Sequence, residues 1–288
     1  MVNFLKYTWL YLLISSIVIG AGLFSVIKWG YIYSIDFVGG TNMEYGFEKK
    51  VSEVVIKKII TDNKVDIVQF QLNNKVLVLR TKTIDQKKET ELKNALEKKV
   101  GKLTVLQSET VGPTLGQETV IKTVIASFLG IIGILLYMSF AFKGFNSALS
   151  AVLAAIHDIL VVFGCYSLLS HFFGAQMDTL FVTAILTSMS FSVHDTIVVF
   201  DKIREYKHEE GGTVEYFANK ALTETMVRSL NNSMTIIFML LALVLMGGST
   251  IKFFAATLLI GTITGTYSSP FIATPIFVWL EKRKKKKM

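Results

Sequence analysis

The stretch Asp178-Thr-Leu-Phe-Val-Thr-Ala-Ile-Leu-Thr-Ser-Met-Ser-Phe-Ser-Val-His-Asp195-Thr-Ile-Val-Val-Phe-Asp201-Lys-Ile-Arg-Glu205 decides the fold. From Thr179 to Phe200 it is apolar or hydroxylic except at His194 and Asp195, and a helix of that length crosses the roughly 30 Å of hydrocarbon in a bilayer. Charge then returns at once, with Asp201, Lys202, Arg204 and Glu205, as at a helix leaving the membrane on a basic side. An ionisable group inside such a span costs several kcal/mol, which makes Asp195 a functional candidate by default.

Working outward, comparable apolar runs occur at about 7–27, 119–142, 147–170, 178–200, 230–248 and 252–280, which predicts an α-helical membrane protein with a six-span bundle. Composition agrees: the chain is 51% hydrophobic and 18% charged, with a mean hydropathy of +0.50. The charges are segregated as well. Residues 28–118 hold 15 Lys/Arg and 12 Asp/Glu, and the other two-thirds of the chain shares 15 and 10. The chain therefore divides into a first span (1–27), an inserted domain (28–118), a five-span bundle (119–280) and a basic tail (281–288).

Orientation follows from basic residues at the span ends. Lys6, Lys143, the 201–205 segment and the tail share one side, whereas the loops 171–177 and 247–252 contain a single lysine. Both termini are thus expected in the cytoplasm and residues 28–118 outside it. The run from Thr8 to Ile27 is long for the apolar region of a signal peptide and reads as an uncleaved span. The net charge of +8 does not call for nucleic acid, because six basic residues sit together in the tail, where they predict contact with anionic lipid. The one cysteine, Cys165, lies in an apolar run, so the outer domain stands on packing without a disulfide.

Within 28–118, Met43, Tyr45 and Phe47 alternate with polar positions, as do Val68, Phe70 and Leu72. Val76–Leu79 follows across Asn73-Asn74, a candidate hairpin turn. Val51, Val55 and Ile59 recur at helical spacing, as do Leu92, Leu96 and Val100, and Leu103–Leu106 supplies a last strand. The order is an α+β, ferredoxin-like βαββαβ. Residues 201–229 are hydrophilic but align Val214, Phe217, Ala221 and Leu222, which predicts an interfacial helix on the cytoplasmic surface.

Several buried polar groups then need roles. Burial disfavours a charged carboxylate and a nearby cation restores it, so Asp195 suits a proton carrier, while a hydrogen bond between helices is the structural alternative. Arg228 opens the fifth run, followed by Asn231, Asn232, Ser233 and Thr235. It is either an anchor to lipid phosphate or the charge partner of Asp195. His157 and Asp158 lie near the middle of the third run. Adjacent helical positions diverge by about 100°, so the two are not expected to pair, and tying helices together competes with proton relay. His194 is open between the same two roles. Gly261 and Gly265 form a GxxxG spacing suited to close helix packing. No H-E-x-x-H, G-x-S-x-G, P-loop or Cys/His cluster is present, so neither enzyme, metal nor cofactor is expected, and an intramembrane aspartyl protease built on Asp158 and Asp195 has no supporting motif.

Two further motifs carry a resemblance. Ser34-Ile-Asp-Phe-Val-Gly-Gly-Thr41 and Val111-Gly-Pro-Thr-Leu-Gly116 flank the outer domain. Together with His157-Asp158, the Asp195–Glu205 segment and the Arg228 segment, they make the chain resemble the SecF family of the bacterial SecD-SecF protein-export complex along essentially its whole length. The resemblance implies a multi-pass subunit of the bacterial inner membrane, without enzymatic activity, that pairs with SecD in a resistance-nodulation-division type fold. It implies use of the proton gradient to draw polypeptide from the SecYEG channel, with YidC as a further partner. It places proton conduction on Asp195 and Arg228, and structural roles on Asp36, Gly39, Gly40, Gly112 and Pro113. His194 stands where the family often has Asn, which adds a second titratable group. A proton-coupled exporter of small solutes and a passive membrane scaffold are the competing functions, and Na⁺ in place of H⁺ at Asp195, beside Ser192 and Thr196, is the competing ion.

Overall fold

The computed structural model describes residues 2–73, 75–142, 144–209 and 211–287. Asn74 of the predicted hairpin turn, the anchor Lys143 and the terminal Met288 lie outside them. The chain forms two compact units, Tyr33–Val124 and the combination of Met1–Ile32 with Ile125–Met288.

The helical unit holds α1 (Thr8–Trp29), most of α5 (Pro113–Ala141), α6 (Phe145–Phe173), α7 (Thr179–Glu209), α8 (Val214–Met246), α9 (Ser249–Ser268) and α10 (Thr274–Lys287). Among the described residues five helices are long and apolar enough to cross a membrane: Phe4–Trp29, Pro113–Ala141, Phe145–Phe173, Thr179–His208 and Val214–Met246. The sixth apolar stretch is interrupted. Between α9 and α10 the residues Ser269–Ala273 form a π turn. Pro270 has no N–H for the regular α ladder, and such turns mark places where a helix gives up regularity to position side chains.

Small residues set the helix contacts. A Cβ on Gly22 of α1 would lie 2.7 Å from Gly164 Cα on α6, so the two backbones touch there. Three residues on, Ser25 and Ser167 hydrogen-bond at 2.8 Å and are buried. On α9, a Cβ on Gly261 would fall 2.3 Å from Ser188 Cβ, and one on Gly265 would fall 2.8 Å from Ser192 Cβ, which lays α9 directly against α7.

The stretch 201–229 is not one interfacial helix. α7 runs on to Glu209 and α8 starts at Val214, so its residues divide between the end of one long helix and the start of the next. Val214, Phe217, Ala218, Ala221 and Leu222 are buried against Ile203, Tyr206, Phe277 and Val278. Their apolar face is consumed by helix packing rather than by a lipid surface.

The second unit contains α2 (Ile35–Val38), β2 (Gly40–Phe47), α3 (Glu53–Asp62), β3 (Ile67–Asn73), β4 (Val76–Thr81), α4 (Gln86–Val100) and β5 (Leu103–Val111). The sheet order is β3-β4-β2-β5, with every neighbour antiparallel. Met43, Tyr45, Leu77, Leu79, Ile56, Ile60, Leu92 and Leu96 are fully buried between sheet and helices. Two expected core positions differ. Val55 is 42% exposed because α3 starts at Glu53 and turns Ile56, Ile59 and Ile60 inward. Val68 is 58% exposed because a register shift between Ile67 and Gln69 moves it off the inward face of an edge strand.

The two glycine motifs meet in this unit. Gly39 has φ +74° and a Cβ there would lie 3.0 Å from Pro113 Cα, while one on Gly116 would lie 3.0 Å from Gly39 N. Gly40, at φ +129°, passes so close to Thr81 that a Cβ would sit 2.6 Å from its carbonyl oxygen. Ser34 caps α2 by accepting from Asp36 N at 3.2 Å. The buried Arg80 guanidinium donates to the Tyr33 carbonyl, and burial pushes its pKa down while Asp36 opposes that shift.

Candidate functional site

Asp195 lies on α7, half-buried, and accepts a 2.8 Å hydrogen bond from Ser229 Oγ of α8. A water-sized void of about 10 Å³ adjoins it, lined among others by Ser192, Asn232, Ser233, Thr262 and Thr266. Thr266 donates to Ser233 at 2.7 Å, which links α9 to α8, whereas Thr262 Oγ1 is buried with no hydrogen-bond partner among the described residues. The side chain that reaches Asp195 is thus Ser229 and not its neighbour. Arg228 is exposed and forms no ion pair among the described residues.

One turn before Asp195, Ser192 leads to a second carboxylate. Asp158 of α6 is 4% exposed, and its Oδ2 accepts from Ser192 Oγ and, at 2.7 Å, from Ser268 Oγ. Its Oδ1 lies 2.9 Å from His157 Nδ1. This overturns the expectation that the two would not pair. Cα–Cβ directions on adjacent residues diverge, but both side chains have rotatable χ angles, and in a buried site the ring and carboxyl group fold toward each other because each is the other's best partner. The far ring nitrogen, Nε2, lies 2.9 Å from Ser15 Oγ of α1.

The π turn completes the arrangement. Ser269 Oγ meets Thr196 Oγ1 at 2.8 Å and donates to the Ser192 carbonyl at 3.3 Å. Four helices, α1, α6, α7 and α9, thus converge on one hydrogen-bonded cluster in an otherwise apolar bundle. Buried hydroxyls are the economical way to satisfy a buried carboxylate, since each donates without adding charge. Ser192 was named in the sequence only as a neighbour of Asp195, and Ser15, Ser268 and Ser269 were missed because a lone Ser in an apolar run resembles packing. The spacing of Ser188 and Ser192 on α7, matching Gly261 and Gly265 on α9, is a signal that marks Ser192.

His194 is exposed; it borders the void at Asp195 and also a cleft with Gly130, Gly133, Ile134 and Tyr137 of α5. It does not join the cluster. Asp201 pairs with Arg204 at 3.0 Å, and Lys207 with Glu281 at 2.9 Å. Asn146 Nδ2 donates to Glu281 at 2.6 Å, so the ends of α6, α7 and α10 are stitched together. No group of three or more candidate metal ligands occurs among the described residues.

Residues 91–283 match the family described as protein export membrane protein SecD/SecF, C-terminal. The chain is 36% identical over 199 residues to protein translocase subunit SecF of Anaerolinea thermophila, an alignment that covers 66% of this chain and 65% of that protein. With protein translocase subunit SecF of Sebaldella termitidis it is 36% identical over 188 residues, which cover 63% of this chain and 59% of that one. The crystal structure of SecDF, a translocon-associated membrane protein from Thermus thermophilus, superposes with a TM-score of 0.87 at 29% identity, over 98% of this chain and 39% of that one. Against SecDF in its super-membrane-facing form the TM-score is 0.65 at 28% identity, over 99% of this chain and 39% of that one. A chain that carries this match across its helical bundle and shares the fold over nearly its whole length belongs to the SecD/SecF family of protein export membrane proteins.

Proposed function

We propose that the chain is a membrane subunit of the Sec export machinery that works with SecD to couple proton entry to the movement of polypeptide leaving SecYEG. The observation that carries the proposal is Asp195, a carboxylate held at the α7–α8 contact by one neutral hydroxyl and bordered by a void large enough for a water. Protonation from outside weakens its hold on Ser229 and removes its charge; release to the cytoplasm restores both. A bundle with two packings converts that cycle into motion. Arg228, exposed on α8, is positioned to meet a partner surface, and in this proposal it acts on the proton path from there. Relatives that carry SecD and SecF in one chain support obligate pairing.

In this proposal α9, the π turn and α10 together make the sixth span, both termini are cytoplasmic, and the Tyr33–Val124 unit is extracytoplasmic. Its βαββαβ order and β3-β4-β2-β5 sheet support a ferredoxin-like domain. The basic end of α10 meets anionic lipid, and SecYEG and YidC are the neighbouring machinery. The small domain offers little room for a solute pocket, which favours export of polypeptide over export of small molecules. The test is Asp195→Asn in cells. Accumulation of unexported precursor, with normal membrane levels and normal co-purification with SecD, is expected. Export at the wild-type rate overturns the proposal.

A further inference from the structure

The hydrogen bonds around His157 and Asp158 limit how many protons the pair can hold. Tyr267 has one hydroxyl hydrogen and spends it on the Tyr11 carbonyl at 2.7 Å. Toward Ser15, 3.4 Å away, Tyr267 can therefore only accept. If Ser15 donates to Tyr267, its oxygen must accept from His157 Nε2–H at 2.9 Å. A hydrogen must then also lie between Nδ1 and Asp158 Oδ1, because two bare acceptors would repel at 2.9 Å. That arrangement is neutral overall. If Ser15 turns instead and donates to Nε2, only the Nδ1–H remains. The pair then carries one negative charge, on a carboxylate that accepts from His157, Ser192 and Ser268. The two arrangements differ by one proton and one hydroxyl rotation.

We infer that His157 and Asp158 form a second proton-binding site at the meeting point of α1, α6, α7 and α9, and that Ser15 reports its loading by switching its bond between α9 and α6. On release, the Nε2 hydrogen passes to water, the remaining hydrogen stays on His157 Nδ1 and is donated to the Asp158 carboxylate, and the Ser15 hydroxyl turns from Tyr267 to Nε2. Uptake reverses each step. Of the titratable groups on the helices packed there, Tyr267 of α9 has its ring 6.4 Å from that of His157, Tyr11 of α1 offers its carbonyl to Tyr267, and Asp195, one turn beyond Ser192 on α7, is turned to Ser229. The π turn contains none, and the first charged residue of α10, Glu281, is bonded to Asn146 at the far start of α6. The inference extends the proton-driven reading of Asp195, since Ser192 borders the void at Asp195 and also holds Asp158.

The test is nitrogen NMR of the full chain in lipid bilayers with ¹⁵N-labelled histidine, the His157 signal being identified by its loss in His157→Gln. The fraction of His157 carrying hydrogen on Nε2 is expected to change between about pH 5 and about pH 9. Tyr267→Phe removes the acceptor that competes for the Ser15 hydrogen. It is expected to lower that fraction about threefold or more at fixed pH, the worth of one modest hydrogen bond. A ring that keeps one state across the range, or a fraction unmoved by Tyr267→Phe, overturns the inference and leaves a structural tie. A titrating His157 alongside normal export in Asp195→Asn supports this site and sinks the Asp195 proposal alone. The reverse pair of results sinks this site alone.

Discussion

Ser229 of α8 donates a 2.8 Å hydrogen bond to the carboxylate of Asp195 on α7, and Arg228 beside it does not. The carboxylate is therefore held by a group whose grip changes with protonation but whose own charge does not. An arginine in that place would pin Asp195 in its ionised form, whereas a serine leaves the carboxyl group able to exchange a proton.

Ser229→Ala should reduce export driven by the proton gradient about tenfold to a hundredfold, the cost of one hydrogen bond to a charged group. Ser229→Thr, which keeps the hydroxyl, should restore most of it. In a double-mutant cycle Ser229→Ala should add nothing on top of Asp195→Asn. Export measured in membranes with matched protein levels checks all three.

The Gly22–Gly164 contact predicts a packing effect with no polar chemistry. Gly22→Val forces α1 away from α6 and should cost about 1–3 kcal/mol, as overpacking does. Gly20→Ala, on a face where a Cβ meets nothing within 4 Å, should leave stability unchanged or raise it by up to about 1 kcal/mol. Thermal unfolding of the purified chain in detergent separates the two.

How much of this was legible in the sequence depends on the range of the interaction. Long apolar runs and the alternation at Met43, Tyr45 and Phe47 are local signals, and they located the helices and the sheet. Asp195 and Asp158 were visible because a carboxylate stands out in an apolar run. The His157–Asp158 bond was not, since helical geometry fixes Cβ directions and leaves χ angles to be chosen by neighbours such as Ser15 and Ser192, which are brought in from other helices. Ser229 was hidden for the same reason: beside an arginine, a serine carries no charge signal. Residues 201–229 misled because an amphipathic face looks alike whether it packs on lipid or on another helix.

In the outer unit, Gly40→Val should be far more costly than Gly112→Ala. The first combines a positive φ with a Cβ 2.6 Å from the Thr81 carbonyl, and the second meets nothing within 4 Å. A loss of about 1–3 kcal/mol for Gly40→Val is expected from backbone strain alone. Limited proteolysis of the full chain, reading cleavage between residues 33 and 124, distinguishes the two variants.

Acidification should loosen the join of α6, α7 and α10. Burial pushes the Glu281 carboxyl up, but hydrogen bonds from Lys207 and Asn146 and the charge of Lys207 outweigh burial and hold it below the usual glutamate value. A depressed carboxyl contributes stability that is full above its unfolded value and is lost as pH falls through the folded one. Stability should thus drop below the ordinary glutamate range, and Glu281→Gln should flatten that part of the profile. Melting temperature measured against pH checks it.

The most direct test of the central claim is precursor export into inverted membrane vesicles, with and without an imposed proton gradient, for the wild type and Asp195→Asn at equal abundance and with SecD bound. The account predicts that the gradient speeds wild-type export and leaves the Asp195→Asn rate unchanged. Equal stimulation of both would contradict it.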